Sequence, residues 1–141
     1  IPHTIQNISE RCIENVEKKC SGMGIPIEEG FLHTLLFADD QIVVAGDIDD
    51  MEYSMRKLNE EYNKWGLQIN IDKTMYLPIN AEERNLQIDN DTIKYCQQFK
   101  YLGVTFCSDG SCKTEIANRL AAGKIAIQKL NAVLWSKEIT H

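Results

Sequence analysis

Apolar positions recur at helical spacing in three stretches of the chain and fall into short runs or alternations between them. Ile5, Ile8, Cys12 and Val16 repeat every three or four residues between charged positions, which predicts a helix over 4–20. Ser21-Gly22-Met23-Gly24 ends it, because glycine readily takes the left-handed backbone of a helix C-terminus. Residues 31–37 form an apolar run with aromatic residues and threonine, and 41–45 form another, rich in β-branched residues. Ala38-Asp39-Asp40 between them predicts a β-hairpin with a carboxylate pair at its tip.

Met51, Met55, Leu58, Tyr62 and Trp65 then make one apolar stripe against a polar face, which defines the clearest helix. Asp49 with Glu52 fits a capping box at its start, and Gly66 stands where a terminating glycine belongs. Leu67, Ile69 and Ile71 alternate with Gln68, Asn70 and Asp72, the period of a half-buried strand, and 75–77 extend it before Pro78 interrupts. A second hairpin is expected where 86–88 and 92–95 flank Asp89-Asn90-Asp91, and 101–106 read as a further strand followed by a turn at 108–111. A last helix is expected over 113–135, with Ile116, Leu120, Ile127, Leu130 and Leu134 on one side. The fold class is α+β.

Composition narrows the picture. The 141 residues are 43% hydrophobic and 26% charged, with 8 Gly and 3 Pro, which excludes wholesale disorder and collagen-like or low-complexity architecture. No apolar run approaches the roughly 20 residues that span a bilayer, so no membrane partner is expected. The first residues lack the basic-then-apolar pattern of a secretory signal, and the 5 cysteines are an odd number without a C-x-x-C pair. Reduced thiols in an intracellular protein, nuclear or cytoplasmic and not secreted, are therefore expected. The chain opens on Ile1 instead of Met, which suggests a longer protein upstream. Net charge is −6, but residues 113–141 carry 5 Lys or Arg against 2 acidic residues. Any nucleic-acid partner must then meet a local basic surface.

Adjacent Asp39 and Asp40 in an apolar setting are the first chemical anomaly. Neighbouring carboxylates repel, and poor hydration raises the cost of charging both, which a divalent cation would relieve. Hard oxygen ligands without a nearby His or Cys point to Mg²⁺ or Mn²⁺. The other reading is a solvated turn, where Asp is common.

Three segments in order carry a family resemblance. Phe37-Ala38-Asp39-Asp40 resembles motif C of reverse transcriptases, the F/Y-x-D-D hairpin of the palm. The run from Trp65 through Gly66-Leu67-Gln68-Ile69-Asn70-Ile71-Asp72-Lys73-Thr74 resembles motif D of the non-LTR (LINE-type) retrotransposon enzymes. Phe99-Lys100-Tyr101-Leu102-Gly103 resembles motif E, the primer-grip hairpin. The resemblance implies an antiparallel palm-type sheet with a packed helix over 1–112, and a basic helix over 113–141 leading to the thumb. It implies that Asp39 binds catalytic metals and Asp40 supports them in two-metal nucleotidyl transfer. Lys73 would stand near the phosphates of the incoming dNTP as a proton donor, and Phe99 to Gly103 would hold the primer end. Lys113, Arg119, Lys124 and Lys129 would meet the phosphates of an RNA template and DNA primer. Plain readings stand beside these: a surface lysine at 73, core packing by Tyr101 and Leu102, and a solvated face on the last helix.

The family pattern is incomplete in these 141 residues. The motif A aspartate and the motif B segment are expected upstream of motif C, with 4–20 as the tail of the helix after motif B, and no endonuclease domain is present. The expectation is a polymerase fragment, inactive alone and holding Mg²⁺ weakly. The alternative is a non-catalytic relic that binds nucleic acid or protein, or associates with itself through an exposed sheet edge.

Overall fold

The computed structural model describes residues 3–38 and 40–134, with the side chains of 8–38 and 40–129. Among the described residues three helices and eight short strands follow one another: α1 (His3–Lys19), β1 (Ile25–Ile27), β2 (Gly30–Leu32), β3 (Thr34–Phe37), β4 (Asp40–Val43), α2 (Ile48–Asn63), β5 (Leu86–Ile88), β6 (Asp91–Ile93), β7 (Gln98–Tyr101), β8 (Val104–Cys107) and α3 (Lys113–Leu134). The fold is α+β, as the hydrophobic pattern predicts. Every strand pairs antiparallel with its chain neighbour, so the β structure is four separate two-stranded sheets and not one continuous sheet among the described residues. The chain divides into two compact units, Ile1–Tyr76 with Asn85–Lys94, and Leu77–Arg84 with Tyr95–His141.

In the first unit, Val16 of α1 and Cys20, just past its end, meet Met55 and Leu58 of α2 and Leu86, Ile88 and Ile93 of the β5–β6 hairpin in one buried cluster. Cys12 and Val16, four residues apart, and Met55 and Leu58, three apart, each lie on a single helix face, which is why these two helices pack. Burying each of these side chains contributes about 1.5–3 kcal/mol, so Leu58→Ala or Leu86→Ala should cost about 2–5 kcal/mol. Trp65, expected to close the α2 stripe, lies beyond the helix end and is 48% exposed.

The ends of α2 follow local hydrogen bonding. Asp47 is the N-cap, its carboxylate accepting the Asp50 N–H at 2.8 Å, in place of the expected Asp49–Glu52 box. Glu52 turns elsewhere and accepts the Gln87 N–H at 3.1 Å, tying α2 to β5. Gly66, at φ +70°, completes the C-terminal turn as expected, with the Leu67 N–H returning to the Tyr62 carbonyl at 3.0 Å.

Two expected strands differ. Residues 67–72 form no ladder; Ile69 and Ile71 still pack against the core, but Asn70 offers its carbonyl and side chain to the Lys73 and Thr74 N–H groups and folds the segment into a turn. The alternation therefore reports one-sided burial without a strand partner. The run 101–106 is not one strand, because Leu102 (φ +48°) and Gly103 (φ +84°) reverse the chain and split it between β7 and β8.

In the second unit, Glu115 in the first turn of α3 accepts the Thr105 N–H at 2.7 Å, fastening α3 to β8. All five cysteines are free. Among the described residues no helix is long and apolar enough to cross a membrane.

Candidate active site

The β3–β4 hairpin carries the carboxylate pair of motif C. Its register pairs Phe37 with Asp40, Leu36 with Gln41, Leu35 with Ile42 and Thr34 with Val43, which leaves two residues in the loop instead of three. Ala38 takes φ +56°, a left-handed conformation that an alanine adopts at a cost of about 1–2 kcal/mol. Asp40 thus opens β4, and Asp39 lies outside the described residues. Directly paired residues share a face, so Asp40 stands with Phe37, Leu35 and Ile42. That face is open: Phe37 is 60% and Leu35 41% exposed. Gln41 and Val43 lie on the other face, where Val43 packs against the core of the first unit.

The inner face holds a polar contact that sequence reasoning missed. The Tyr62 hydroxyl of α2 donates to the Gln41 Oε1 at 2.6 Å. Burial pushes the Tyr62 phenol above its usual value, against the smaller opposing effect of Ser9. The Gln41 Nε2 is buried with no partner among the described residues.

Lys73 sits exposed in the turn built on Asn70, in the first unit like Asp40. The second unit contains the remaining candidates. Phe99 and Tyr101 share one face of β7–β8 with Phe106 and Val104, while Lys100 lies on the other face with Thr105 and Cys107. Phe99 and Tyr101 are half-buried, Lys100 and Gly103 are exposed, and Leu102 stands 53% exposed at the tip. Core packing thus describes the two half-buried rings and not Leu102.

Lys113, Arg119, Lys124 and Lys129 are exposed on α3. Arg119 is engaged, its Nε 2.5 Å from Glu115 Oε1, so Lys124 and Lys129 are the cations in mid-helix without an ion pair among the described residues. At about 100° per residue, Lys113 and Lys124 lie about 20° apart, whereas Lys129 is about 140° from Lys124. The cations surround the helix and do not form one stripe.

The donor chemistry suits a hard divalent cation, since Asp40 offers carboxylate oxygens on an open face. The set falls short in number, because no group of three or more His, Cys, Asp or Glu side chains gathers among the described residues.

Residues 2–106 match the family model for reverse transcriptase (RNA-dependent DNA polymerase). The match spans the motif C hairpin, the Asn70 turn and all of β7, and the chain belongs to the reverse transcriptase family. Enzymes of this family generally use Mg²⁺, and their full-length forms bind a nucleic-acid template and primer. No curated protein and no solved structure matches the chain.

Proposed function

We propose that this chain is the C-terminal palm and the start of the thumb of a reverse transcriptase of the non-LTR (LINE-type) retrotransposons. The observation that carries the reading is Asp40, set at the first position of β4 on the open face of the hairpin, directly after Asp39. In this reading Asp39 and Asp40 are metal ligands and Lys73 is a proton donor beside the dNTP phosphates. Phe99 to Gly103 hold the primer end, and among the cations of α3 the pair Lys113 and Lys124, which share one side of the helix, meets the template–primer duplex. The palm portion is 1–112 and the thumb portion 113–141. Bound Mg²⁺ supplies activation of the primer 3′-hydroxyl and neutralisation of the leaving pyrophosphate. In this reading a motif A aspartate completes the site, and the 141 residues alone do not polymerise DNA. Work on chromosomal DNA would place the full enzyme in the nucleus.

A Mn²⁺ titration of the ¹⁵N-labelled chain tests the metal assignment. Paramagnetic broadening should centre on the amides of 37–42 and disappear in Asp39→Asn/Asp40→Asn. Broadening that is absent, or that survives in the variant, overturns it. Primer extension by the isolated chain should remain at background with Mg²⁺ or Mn²⁺, and incorporation of dNTP above that level overturns the fragment reading.

A further inference from the structure

The end of β4 that bears Asp40 is held from beneath differently from its other end. Val43 packs into the apolar core, as an inner-face strand residue ordinarily does. Gln41, one residue from Asp40, instead presents an amide to that interior. Its Oε1 accepts the Tyr62 hydroxyl at 2.6 Å, while its Nε2 stays buried and unpartnered among the described residues. Leaving an amide N–H unpaired in the interior is unfavourable, and a leucine or methionine would fill the same position without that cost. What the glutamine provides in return is a directional contact where packing alone would permit sliding. The phenol lies in the last turn of α2, so the contact ties the start of β4 to that helix. Because the hairpin register is fixed, a displacement of Gln41 moves Asp40 with it.

We propose that Tyr62 and Gln41 are positioning residues for the motif C hairpin, with the Tyr62–Gln41 relay fixing the height of the first residues of β4 and hence of the Asp40 carboxylate. The inference rests on the metal role assigned to that hairpin above. It adds a second layer of residues that touch neither metal nor substrate.

Hydrogen exchange on the full 141-residue chain tests it. The Val44 N–H bonds the His33 carbonyl at 2.8 Å, so the alternating antiparallel ladder places the Asp40 and Ile42 amides among its bonded set. Tyr62→Phe, which keeps the ring and removes the hydroxyl, should speed exchange of these two amides about tenfold and move the Asp40 amide resonance. The β5–β6 amides should stay within about twofold of wild type. Gln41→Met should produce the same pattern, and the double variant should add little to either. Unchanged β4 exchange overturns the proposal, and so does a uniform rise across the β4 and β5–β6 hairpins, which a merely structural bond would give. The Mn²⁺ titration fails separately: broadening at the hairpin with unchanged exchange in both variants removes the relay and leaves the metal assignment standing. Localised exchange without broadening supports the relay and removes the metal assignment.

Discussion

Lys19 Nζ stands 2.5 Å from Glu61 Oε1, joining the last turn of α1 to the last turn of α2. Lys64 reaches the same oxygen at 2.6 Å, and Asn15 approaches the other carboxylate oxygen. Glu61 is 3% exposed, while both lysines remain largely in solvent. The anion alone is desolvated, and each cation keeps much of its hydration, an arrangement less costly than burying a complete ion pair. The lysine hydrogen bonds, Lys19 first and Lys64 second, hold the Glu61 carboxyl at about 2 against its ordinary 4.5.

A group whose pKa is lowered by folding stabilises the folded state above its unfolded value and loses that contribution as pH falls toward the folded one. The contribution of Glu61 should therefore be complete above about pH 4.5 and disappear between 4.5 and about 2. Glu60, Asp109 and Glu115 are also held low by their own partners, so the difference between wild type and Glu61→Gln isolates this site. Urea unfolding across that range should show a shallower pH dependence in the variant, with about 1–3 kcal/mol less stability at neutral pH. Parallel curves would remove the role given to Glu61.

Leu102 occupies a left-handed position that Asn or Gly would take with less strain, and it does so with its side chain half in water. Leu102→Asn creates the residue pair favoured in two-residue hairpin loops and should stabilise the second unit by about 1 kcal/mol, read as a higher unfolding midpoint. The same variant should retain a primed duplex less well if the apolar tip serves the primer. Stability unchanged or lowered would mean that the leucine is not strained.

Asp47→Ala should cost about 1 kcal/mol through loss of the N-cap, and Asp49→Ala only a few tenths through the helix dipole. Thermal unfolding of the two variants separates these values. Equal losses would restore the cap expected at Asp49.

That cap shows where sequence reading succeeds and where it stops. The α2 stripe is legible because Met55 and Leu58 obey a helical period that burial imposes. The cap falls two residues away from its expected place because Asp47, Asp49 and Asp50 are equivalent as letters, and only the backbone at Asp47 (φ −146°) decides between them. The alternation at 67–72 records burial of Ile69 and Ile71, but pairing with a neighbour has no signature in a single strand. The reversal at Leu102-Gly103 is hidden because leucine is a poor turn signal. Within the candidate site, the carboxylate pair is visible from its neighbours in the chain. The Tyr62–Gln41 hydrogen bond joins residues 21 positions apart, and Tyr62 looks like one more member of an apolar stripe.

The arrangement of cations on α3 leads to a prediction about nucleic acid. With Arg119 engaged by Glu115, the cations available to phosphate are Lys113, Lys124 and Lys129. A duplex lying along one side of the helix can meet Lys113 and Lys124 together, since they share a side, but not Lys129 at the same time. Removing one lysine–phosphate pair lowers the slope of log affinity against log salt by roughly 0.7–0.9. Lys113→Gln/Lys124→Gln should therefore weaken binding of an RNA–DNA duplex and flatten its salt dependence by about one to two such steps, whereas Lys129→Gln should do little. Fluorescence anisotropy between low and moderate salt reads both quantities. Equal effects from the two variants would mean that the helix attracts phosphate only through its summed charge. Affinity that no lysine variant changes would remove α3 from the interface, and with it the thumb role proposed for 113–141.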